Sequence, residues 1–145
     1  MEHAPTETKI LAWAKLMRIS RNLTSSMESE LKAAGFPSLS VHDVLLELNQ
    51  NPEKGLRPYE LEERMLLAQY NISRIITRLT RDGYALKEKT LIDGRGQKLF
   101  ITPSGQQLLQ DMWPHYAKAL EKHFGRKISE EEAHCLRDIL KQLQK

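Results

Sequence analysis

Three arginines and two hydroxyl residues, spaced three or four positions apart, form the densest group of potential binding side chains in the chain. Arg74, Arg78 and Arg81 carry the guanidinium groups, and Ser73 and Thr77 directly precede the first two of them. A guanidinium can bind phosphate oxygens, and it can also take O6 and N7 of guanine together. These residue types at this spacing therefore predict contacts with nucleic acid.

A helix is the element that would bring these side chains to one surface. Apolar residues recur at Ile72, Ile75, Ile76 and Leu79, which is the spacing of a single helical stripe. With that stripe on a hydrophobic core, the opposite side carries the polar residues. The predicted outer side comprises Tyr70, Arg74, Thr77 and Arg81, flanked by Ser73 and Arg78.

A basic hairpin is predicted directly after this helix. Asp82-Gly83 should end the helix, because glycine takes the left-handed position that follows a helix without penalty. The strand-like runs 84–91 and 97–101 flank Asp93-Gly94, and Asp-Gly between two such runs is a strong turn signal. A polar-faced helix followed by a basic hairpin is typical of a winged helix that binds DNA.

The distribution of charge supports the same interpretation. The chain has 145 residues and a net charge of +3, but residues 67–100 hold seven basic and three acidic side chains. The remaining residues hold 15 basic and 16 acidic side chains, so the positive charge is concentrated in one segment. Such a patch steers a protein towards phosphates. The alternative interpretation of the charge alone is a solvated lysine-rich surface.

The segments before this helix predict two further helices. One should begin at Ser40, with Asp43 as its capping-box acid, and end at the Asn51-Pro52 break. Pro58 suits the first turn of the next helix, and residues 55–57 could add a short strand to the hairpin. The residues expected to point inward from the Pro58 helix are Leu61, Met65 and Leu66.

Long apolar helices are predicted at both ends of the chain. Residues 6–34 have two apolar sides, residues 103–124 form one long stripe with a kink at Pro114, and Ser129 caps a final helix. The final helix is expected to bury Ala133, Leu136, Ile139, Leu140 and Leu143. These faces exceed the apolar surface that a monomer tolerates. We expect a second copy to cover them; packing among themselves as a bundle is the alternative.

Several function classes find no support in the sequence. The single Cys135 excludes an intrachain disulfide and fits a reducing cytosol. No leader and no apolar run of membrane-spanning length is apparent, so we expect a cytoplasmic protein without membrane contact. Nucleophile, phosphate-loop, dinucleotide and metal motifs are missing, so we expect neither an enzyme nor a cofactor or metal site.

A series of short motifs runs through the middle of the chain in a fixed order. They are Leu61 to Met65, Ile72-Ser73-Arg74, Leu79, Gly83, Asp93-Gly94-Arg95 and the run from Leu99 to Gly105. In their order and spacing these motifs, with the helix around Leu45 upstream, resemble the MarR family of bacterial transcription regulators. The resemblance extends over most of the chain.

The resemblance implies a mainly α (α+β) fold in three parts. These would be an N-terminal dimerisation helix at 6–34, a winged helix–turn–helix DNA-binding domain at 39–102, and C-terminal helices at 103–145 that complete the dimerisation region. A homodimer of this kind would bind double-stranded DNA at a pseudo-palindromic operator.

Residue type and position on the helix predict that Arg74 contacts base edges and that Arg78 and Arg81 hold phosphates. The resemblance implies that Arg95 enters the minor groove, oriented by Asp93. The complete predicted DNA-binding set is Gln69, Tyr70, Ser73, Arg74, Thr77, Arg78, Arg81, Lys87, Asp93, Arg95 and Lys98.

Control by a small molecule is the second expectation from the family. Relatives commonly act as ligand-responsive repressors that bind an aromatic or anionic effector. The candidate effector residues are Trp13, Met17, Arg21, His42, Met112, Trp113 and Tyr116. Two alternatives remain for the whole chain: a winged helix that binds proteins instead of DNA, and a ligand or redox sensor with degenerate DNA binding.

Overall fold

Helices account for most of the chain in the computed structural model, which describes residues 3–66, 70–89 and 96–144. The elements in order are α1 Glu7–Ala33, α2 Leu39–Gln50, α3 Pro58–Arg64, α4 Ile72–Arg81, β1 Ala85–Lys89, β2 Gln97–Ile101, α5 Pro103–His123, a short 3₁₀ turn Gly125–Lys127, and α6 Glu130–Gln142. This order of helix, helix and two-stranded hairpin confirms the predicted winged helix–turn–helix.

The chain divides into two compact units. The winged unit is the continuous segment Leu31–His115, and the outer-helix unit combines Met1–Glu30 with Tyr116–Lys145. The three-part boundaries expected from the sequence stay a prediction.

The core of the winged unit is built on α2. This helix contacts α3, α4 and β2, and Val44 and Leu45 on its inner side have no exposed surface. Leu61 of α3, Leu79 of α4 and Leu99 of β2 are equally inaccessible to solvent. The apolar stripes predicted for these segments therefore meet in one core.

The start of α2 differs from the sequence prediction. Ser38, and not Ser40, occupies the capping position, and the two hydroxyl oxygens lie 2.7 Å apart. Asp43 is not a capping-box acid: it is buried, and its carboxylate accepts the backbone N–H of Leu66 at 2.9 Å. The Ser38 side chain makes no capping bond to the helix backbone, and the Asp43 carboxylate instead has a backbone partner 23 residues away.

The end of α3 also corrects one predicted residue. Leu61 is buried as expected, but Leu66 is 67% exposed. Met65 ends the helix in an extended conformation, with ψ 145, so the chain turns away before Leu66 can continue the helical stripe.

The wing is an antiparallel pair of strands with a third short contribution. The register pairs Ala85 with Ile101 and Lys89 with Gln97. Leu56 exchanges two backbone hydrogen bonds with Leu99, of 2.9 and 2.8 Å, which confirms the strand contribution predicted for residues 55–57. β1 begins at Ala85, one residue later than predicted, and its predicted end at 90–91 and the Asp93-Gly94 turn lie outside the described residues.

Helix α4 ends at Arg81, which confirms that Asp82-Gly83 terminates it. Gly83 has φ +81, the left-handed conformation that glycine adopts without a steric penalty. Its N–H bonds to the carbonyl of Thr80 at 3.3 Å, and the N–H of Tyr84 bonds to the carbonyl of Leu79 at 2.9 Å. This pair of bonds is the Schellman pattern, and it fixes the direction in which the chain enters β1.

The junction between the wing and α5 depends on one threonine and one glycine. The Thr102 hydroxyl donates to the carbonyl of Gly83 at 2.7 Å and accepts the N–H of Gly105 at 3.1 Å. A Cβ at Gly105 would collide with the carbonyl of Tyr84. The first turn of α5 can therefore reach the end of α4 only because residue 105 has no side chain.

The outer-helix unit buries little within a single chain. Among its described residues only Met27 and Ala119 are buried. Glu30 of α1 accepts hydrogen bonds from Lys122 Nζ and His123 Nε2 of α5, each at 2.9 Å. The same bonds hold the pKa of the Glu30 carboxyl below its usual value.

Helix α6 has the predicted start but not the predicted burial. Ser129 and Glu132 exchange the two hydrogen bonds of a capping box, of 3.1 and 2.9 Å. None of the residues of α6, Glu130–Gln142, is buried, so the predicted burial of Ala133, Leu136, Ile139 and Leu140, and of Leu143 just beyond it, is wrong for the single chain. No helix in the described parts has the length and apolar character that a membrane crossing requires.

We predict that Gly105→Ala destabilises the protein by about 1–3 kcal/mol, because the new methyl group meets a backbone carbonyl that cannot rotate away. Chemical denaturation of the two proteins measures the difference. Ser104→Ala is the matched control, since Ser104 is exposed in the same helical turn. Equal stability of the Gly105→Ala variant and the wild type would contradict this account of the junction.

A second prediction concerns pH and the buried imidazole of His42. Burial lowers the pKa of His42 from 6.5. The unfolded chain therefore takes up a proton at a pH where the folded chain does not, and stability present above pH 6.5 is lost as the pH falls below it.

The measurement is the free energy of unfolding between pH 8 and pH 5, a range that spans about one and a half units on each side of the reference His pKa. His42→Gln should lose less stability on acidification than the wild type. His134→Gln, at an exposed position of α6, should follow the wild type. Parallel pH profiles for the wild type and His42→Gln would show that His42 does not contribute.

Candidate nucleic-acid interface

Helix α4 is held in place by its apolar side. Ile72, Ile75, Ile76 and Leu79 are buried, as their spacing predicted. Asn71 is the N-cap: its side-chain oxygen accepts the backbone N–H of Arg74 at 3.1 Å, which satisfies a donor at the open end of the helix. The helix thus begins at Ile72 with a defined cap.

The outer side of α4 brings five of the predicted residues together. They are all exposed and are Ser73, Arg74, Thr77, Arg78 and Arg81. Together with Ser40 and Val41 of α2 they line an open groove of about 550 Å³. The groove is therefore bounded by a cationic, hydroxyl-bearing helix on one side and by the start of α2 on the other.

The arginines of this groove differ in their acidic neighbours. Asp82 lies 3.2 Å from Nε of Arg81 and 4.0 Å from Nε of Arg78. Within the described ranges no carboxylate lies within ion-pair distance of Arg74. Exposed ion pairs contribute little stability, so Arg78 and Arg81 can exchange Asp82 for another anion at small cost. Arg74 presents its guanidinium to the groove without such competition.

The hydroxyl residues also have defined orientations. Thr77 donates its hydroxyl hydrogen to the carbonyl of Ser73 at 2.9 Å, and Thr80 bonds in the same way to Ile76 at 2.8 Å. A hydroxyl oxygen that donates to the backbone keeps lone pairs for an incoming donor. Thr77 can therefore accept a hydrogen bond from a ligand in the groove.

Tyr70 does not lie where the sequence predicted. It precedes the first residue of α4, is only partly exposed, and its hydroxyl oxygen is buried. The prediction placed Tyr70 on the outer face by extending the helical period backwards past the Asn71 cap. Gln69, Asp93 and Arg95 lie outside the described residues.

The two lysines predicted on the wing have different environments. Lys87 is exposed on β1, opposite Leu99 of β2. Lys98 is half-buried, and its Nζ lies 3.5 Å from the carbonyl of Lys54 in the segment before α3. Lys87 is therefore free to meet a ligand from solvent, whereas Lys98 first contacts the body of the winged unit.

Ser40 is a residue of this groove that the sequence analysis did not assign to it. Ser40 was predicted only to begin α2. Its hydroxyl group was a usable signal, but its proximity to α4 comes from packing between helices that are distant in sequence.

The predicted effector residues are distributed over both units. In the winged unit His42 and Met112 are buried, with 4% and 0% exposure, whereas Trp113 is 57% exposed. In the outer-helix unit Trp13 and Met17 are exposed on α1. Arg21 is also exposed, and Tyr116 is half-buried. Their assignment to an effector stays a prediction.

Among the described residues no three His, Cys, Asp or Glu side chains lie close enough to share an ion. Cys135 is exposed on α6.

Comparison with known sequences finds relatives with a helix–turn–helix of the same kind. The sequence profile of the MarR family matches residues 29–96, which include α2, α3, α4 and β1. A relative from Bacillus cereus, an HTH-type transcriptional regulator, is 26% identical over 135 residues, which cover 93% of this chain and 88% of the relative. A Bacillus anthracis relative of the same description has the same identity and coverage.

Comparison with solved structures gives the same fold. AbsC, a MarR family transcriptional regulator from Streptomyces coelicolor, has a TM-score of 0.83 at 22% identity, over 98% of this chain and 95% of AbsC. Sco3205 from the same organism, solved in complex with DNA, has a TM-score of 0.85 at 20% identity, over 99% of this chain and 89% of Sco3205.

BpsR of Bordetella bronchiseptica, whose DNA binding is regulated by 6-hydroxynicotinic acid, has a TM-score of 0.80 at 16% identity over 97% of both chains. Sequence profile, curated relatives and fold thus agree with the motifs and with the exposed face of α4: residues 29–96 match the MarR family, and the chain has the fold of MarR family regulators.

Proposed function

We propose that the protein is a sequence-specific DNA-binding transcription regulator that acts as a homodimer on pseudo-palindromic operators and has no catalytic role. The observation that carries the proposal is the exposed face of α4, where three arginines and two hydroxyl residues line one groove. A helix of this kind fits the major groove of B-DNA. Because its target is DNA, we also propose that the protein acts in the bacterial cytoplasm.

Arg74 is the proposed base-reading residue. It lies in the first turn of α4, and recognition helices contact base edges with their N-terminal residues. Its guanidinium faces the groove without a neighbouring carboxylate in the described chain. In this position the guanidinium could donate two hydrogen bonds to one guanine. Ser73 and Thr77 are proposed as accompanying polar contacts.

Arg78, Arg81 and Ser40 are proposed to hold the DNA backbone. The two arginines lie further along α4, and Asp82 orients them by its ion pairs. Ser40 faces the same groove from α2, where a hydroxyl can donate to a phosphate oxygen. These contacts would position the protein without reading sequence.

The wing supplies the remaining proposed contacts. Arg95, with Asp93, is proposed for the minor groove because it matches the aspartate–x–arginine pattern that the MarR resemblance implies. Lys87 is exposed on β1 and could meet a phosphate. Gln69 is proposed as a contact at the entrance to α4.

Dimerisation is proposed from the apolar surface of the outer-helix unit. Ile10, Leu11 and Trp13 on α1 are 51%, 56% and 64% exposed, and Ile139 and Leu143 at the C-terminal end are 55% and 66% exposed. Surfaces of this kind mark interfaces. A second copy of the chain, related by a twofold axis, would cover them and present two α4 helices to successive major grooves.

Effector control is proposed on two grounds. DNA binding by BpsR is regulated by 6-hydroxynicotinic acid, a small aromatic acid, and BpsR shares this fold. In the present chain Trp13 and Trp113 offer exposed aromatic surface, and Arg21 offers a cation. We propose a small aromatic or anionic effector that modulates DNA binding, and we place its contacts among the predicted residues.

We predict that Arg74→Ala weakens binding to the operator by about 1–3 kcal/mol and also lowers preference for the operator over a scrambled duplex. Arg78→Ala should weaken binding to both duplexes alike and reduce the salt slope by about one. Fluorescence anisotropy at several salt concentrations measures both quantities, on a duplex that the wild type selects from a random pool.

Arg126→Ala serves as the control, because Arg126 is an exposed arginine in the outer-helix unit. Wild-type binding to both duplexes by the Arg74→Ala and Arg78→Ala variants would refute the proposed interface. A salt-independent wild type would instead favour the protein-binding winged helix.

We predict that Ile139→Glu converts the dimer to a monomer, since it places a charge on an apolar surface proposed to be buried between copies. Sedimentation or light scattering measures the mass, and operator affinity should fall with it. Gln142→Glu adds the same charge to a polar position of the same helix and should leave the dimer intact. A wild type that is already monomeric at micromolar concentration would exclude the proposed assembly.

A further inference from the structure

One buried carboxylate in the winged unit has no part in the interface described above. Asp43 lies on α2 with 3% of its surface exposed, although carboxylates are rarely buried without a specific partner. Its Oδ2 accepts the backbone N–H of Leu66 at 2.9 Å. The bond joins residues 23 positions apart in the chain, from the middle of α2 to the end of α3.

Leu66 lies just after α3, in the segment that connects α3 to α4. The last backbone bond of α3 runs from Met65 N–H to the Leu61 carbonyl at 3.1 Å, and Met65 then adopts an extended conformation. Leu66 is the next residue, and its side chain is 67% exposed. The protein therefore anchors the backbone of this residue and leaves its side chain in solvent.

The hydrogen bond that the Asp43 oxygen accepts, and not the charge of the carboxylate, explains why an acidic residue is buried here. Burial raises the pKa of this carboxyl, the N–H of Leu66 acts in the opposite direction, and the nearby Glu47 carboxylate adds to the increase. An apolar side chain at this position would avoid the desolvation penalty of a buried charge. It could not, however, accept a hydrogen bond from the Leu66 N–H, for which the described residues offer no backbone acceptor.

The same helix forms one wall of the DNA-binding groove. Ser40 and Val41 line it, and Asp43 follows Ser40 by three residues, close to one turn of α2. α2 thus contacts the groove directly and holds the chain that leads to α4, which begins at Ile72.

We propose that Asp43 is a positioning residue for DNA recognition: its bond to the Leu66 N–H fixes the turn between α3 and α4, and so sets where the arginine-bearing face of α4 lies relative to α2. The inference rests on the proposed DNA-binding function. Asp43 itself does not contact DNA. Its effect reaches the duplex through Arg74 and the other side chains of α4.

The bond can be removed from either side. Asp43→Ala deletes the acceptor, and Leu66→Pro deletes the donor, since proline has no N–H and the extended Met65 before it is compatible with proline. Each variant should bind the selected operator at least about tenfold more weakly and lose much of its preference over the scrambled duplex. The double variant should be no worse than the more affected single one, because both remove one interaction.

Three controls separate this role from general stability. Asp43→Asn keeps an oxygen acceptor and should bind within about threefold of the wild type. Leu66→Ala removes the exposed side chain but keeps the N–H, and Glu47→Ala removes a carboxylate one turn along α2. Both should bind as the wild type does. All affinities are measured at least about 15 °C below each melting temperature, so that a loss of stability alone does not lower them.

The outcomes separate the two claims. If the wild type binds no duplex at low salt, the proposed function is wrong, and this inference falls with it. If the wild type binds and either folded variant, Asp43→Ala or Leu66→Pro, keeps wild-type discrimination, the positioning role alone is wrong. Should one of them fail to fold, the other decides the question. Loss of discrimination that Asp43→Asn restores supports the proposal.

Discussion

The burial of one side of α4 is the constraint on which the remaining structure depends. Four apolar residues, from Ile72 to Leu79, pack into the winged core, and a helix that buries one side must expose the other. The arginines lie at the positions that this geometry turns outward. Their exposure therefore needs no separate stabilising interaction, and the core supplies the rigidity that the proposed base-reading role requires. The proposed function of this surface is thus a consequence of the packing beneath it.

Gly83 and Thr102, at the ends of α4 and β2, tie the position of the wing to the position of α4. Gly83 turns the chain into β1, and Thr102 bonds back to the Gly83 carbonyl where the chain leaves β2. The first turn of α5 closes on the same point because Gly105 permits it. Both ends of the hairpin therefore lie next to the C-terminal end of α4. A displacement of α4 would therefore move the base of the hairpin with it.

Local patterns in the sequence were sufficient for the features that depend on near neighbours. The stripe of α4, the Gly83 stop and the Ser129 capping box each involve residues a few positions apart, and all were predicted correctly. Three features could not be found in this way. Ser38 and not Ser40 occupies the N-cap position of α2, Tyr70 is separated from α4 by the Asn71 cap, and Asp43 bonds to a residue 23 positions away. The first two are choices between similar local options, and the third exists only after the helices have packed.

The outer helices show a different limit of prediction from sequence. Their apolar pattern is clear, but the side chains that form it are largely exposed in the single chain. Only Met27 and Ala119 are buried among the described residues of that unit, although α1 and α6 carry several large apolar side chains. A pattern predicts that a face will be buried but does not specify by which chain. If a second copy covers these faces, as proposed, the stability of this unit depends on protomer concentration. DNA affinity would then depend on concentration as well, because one recognition helix alone can contact only half of a twofold operator.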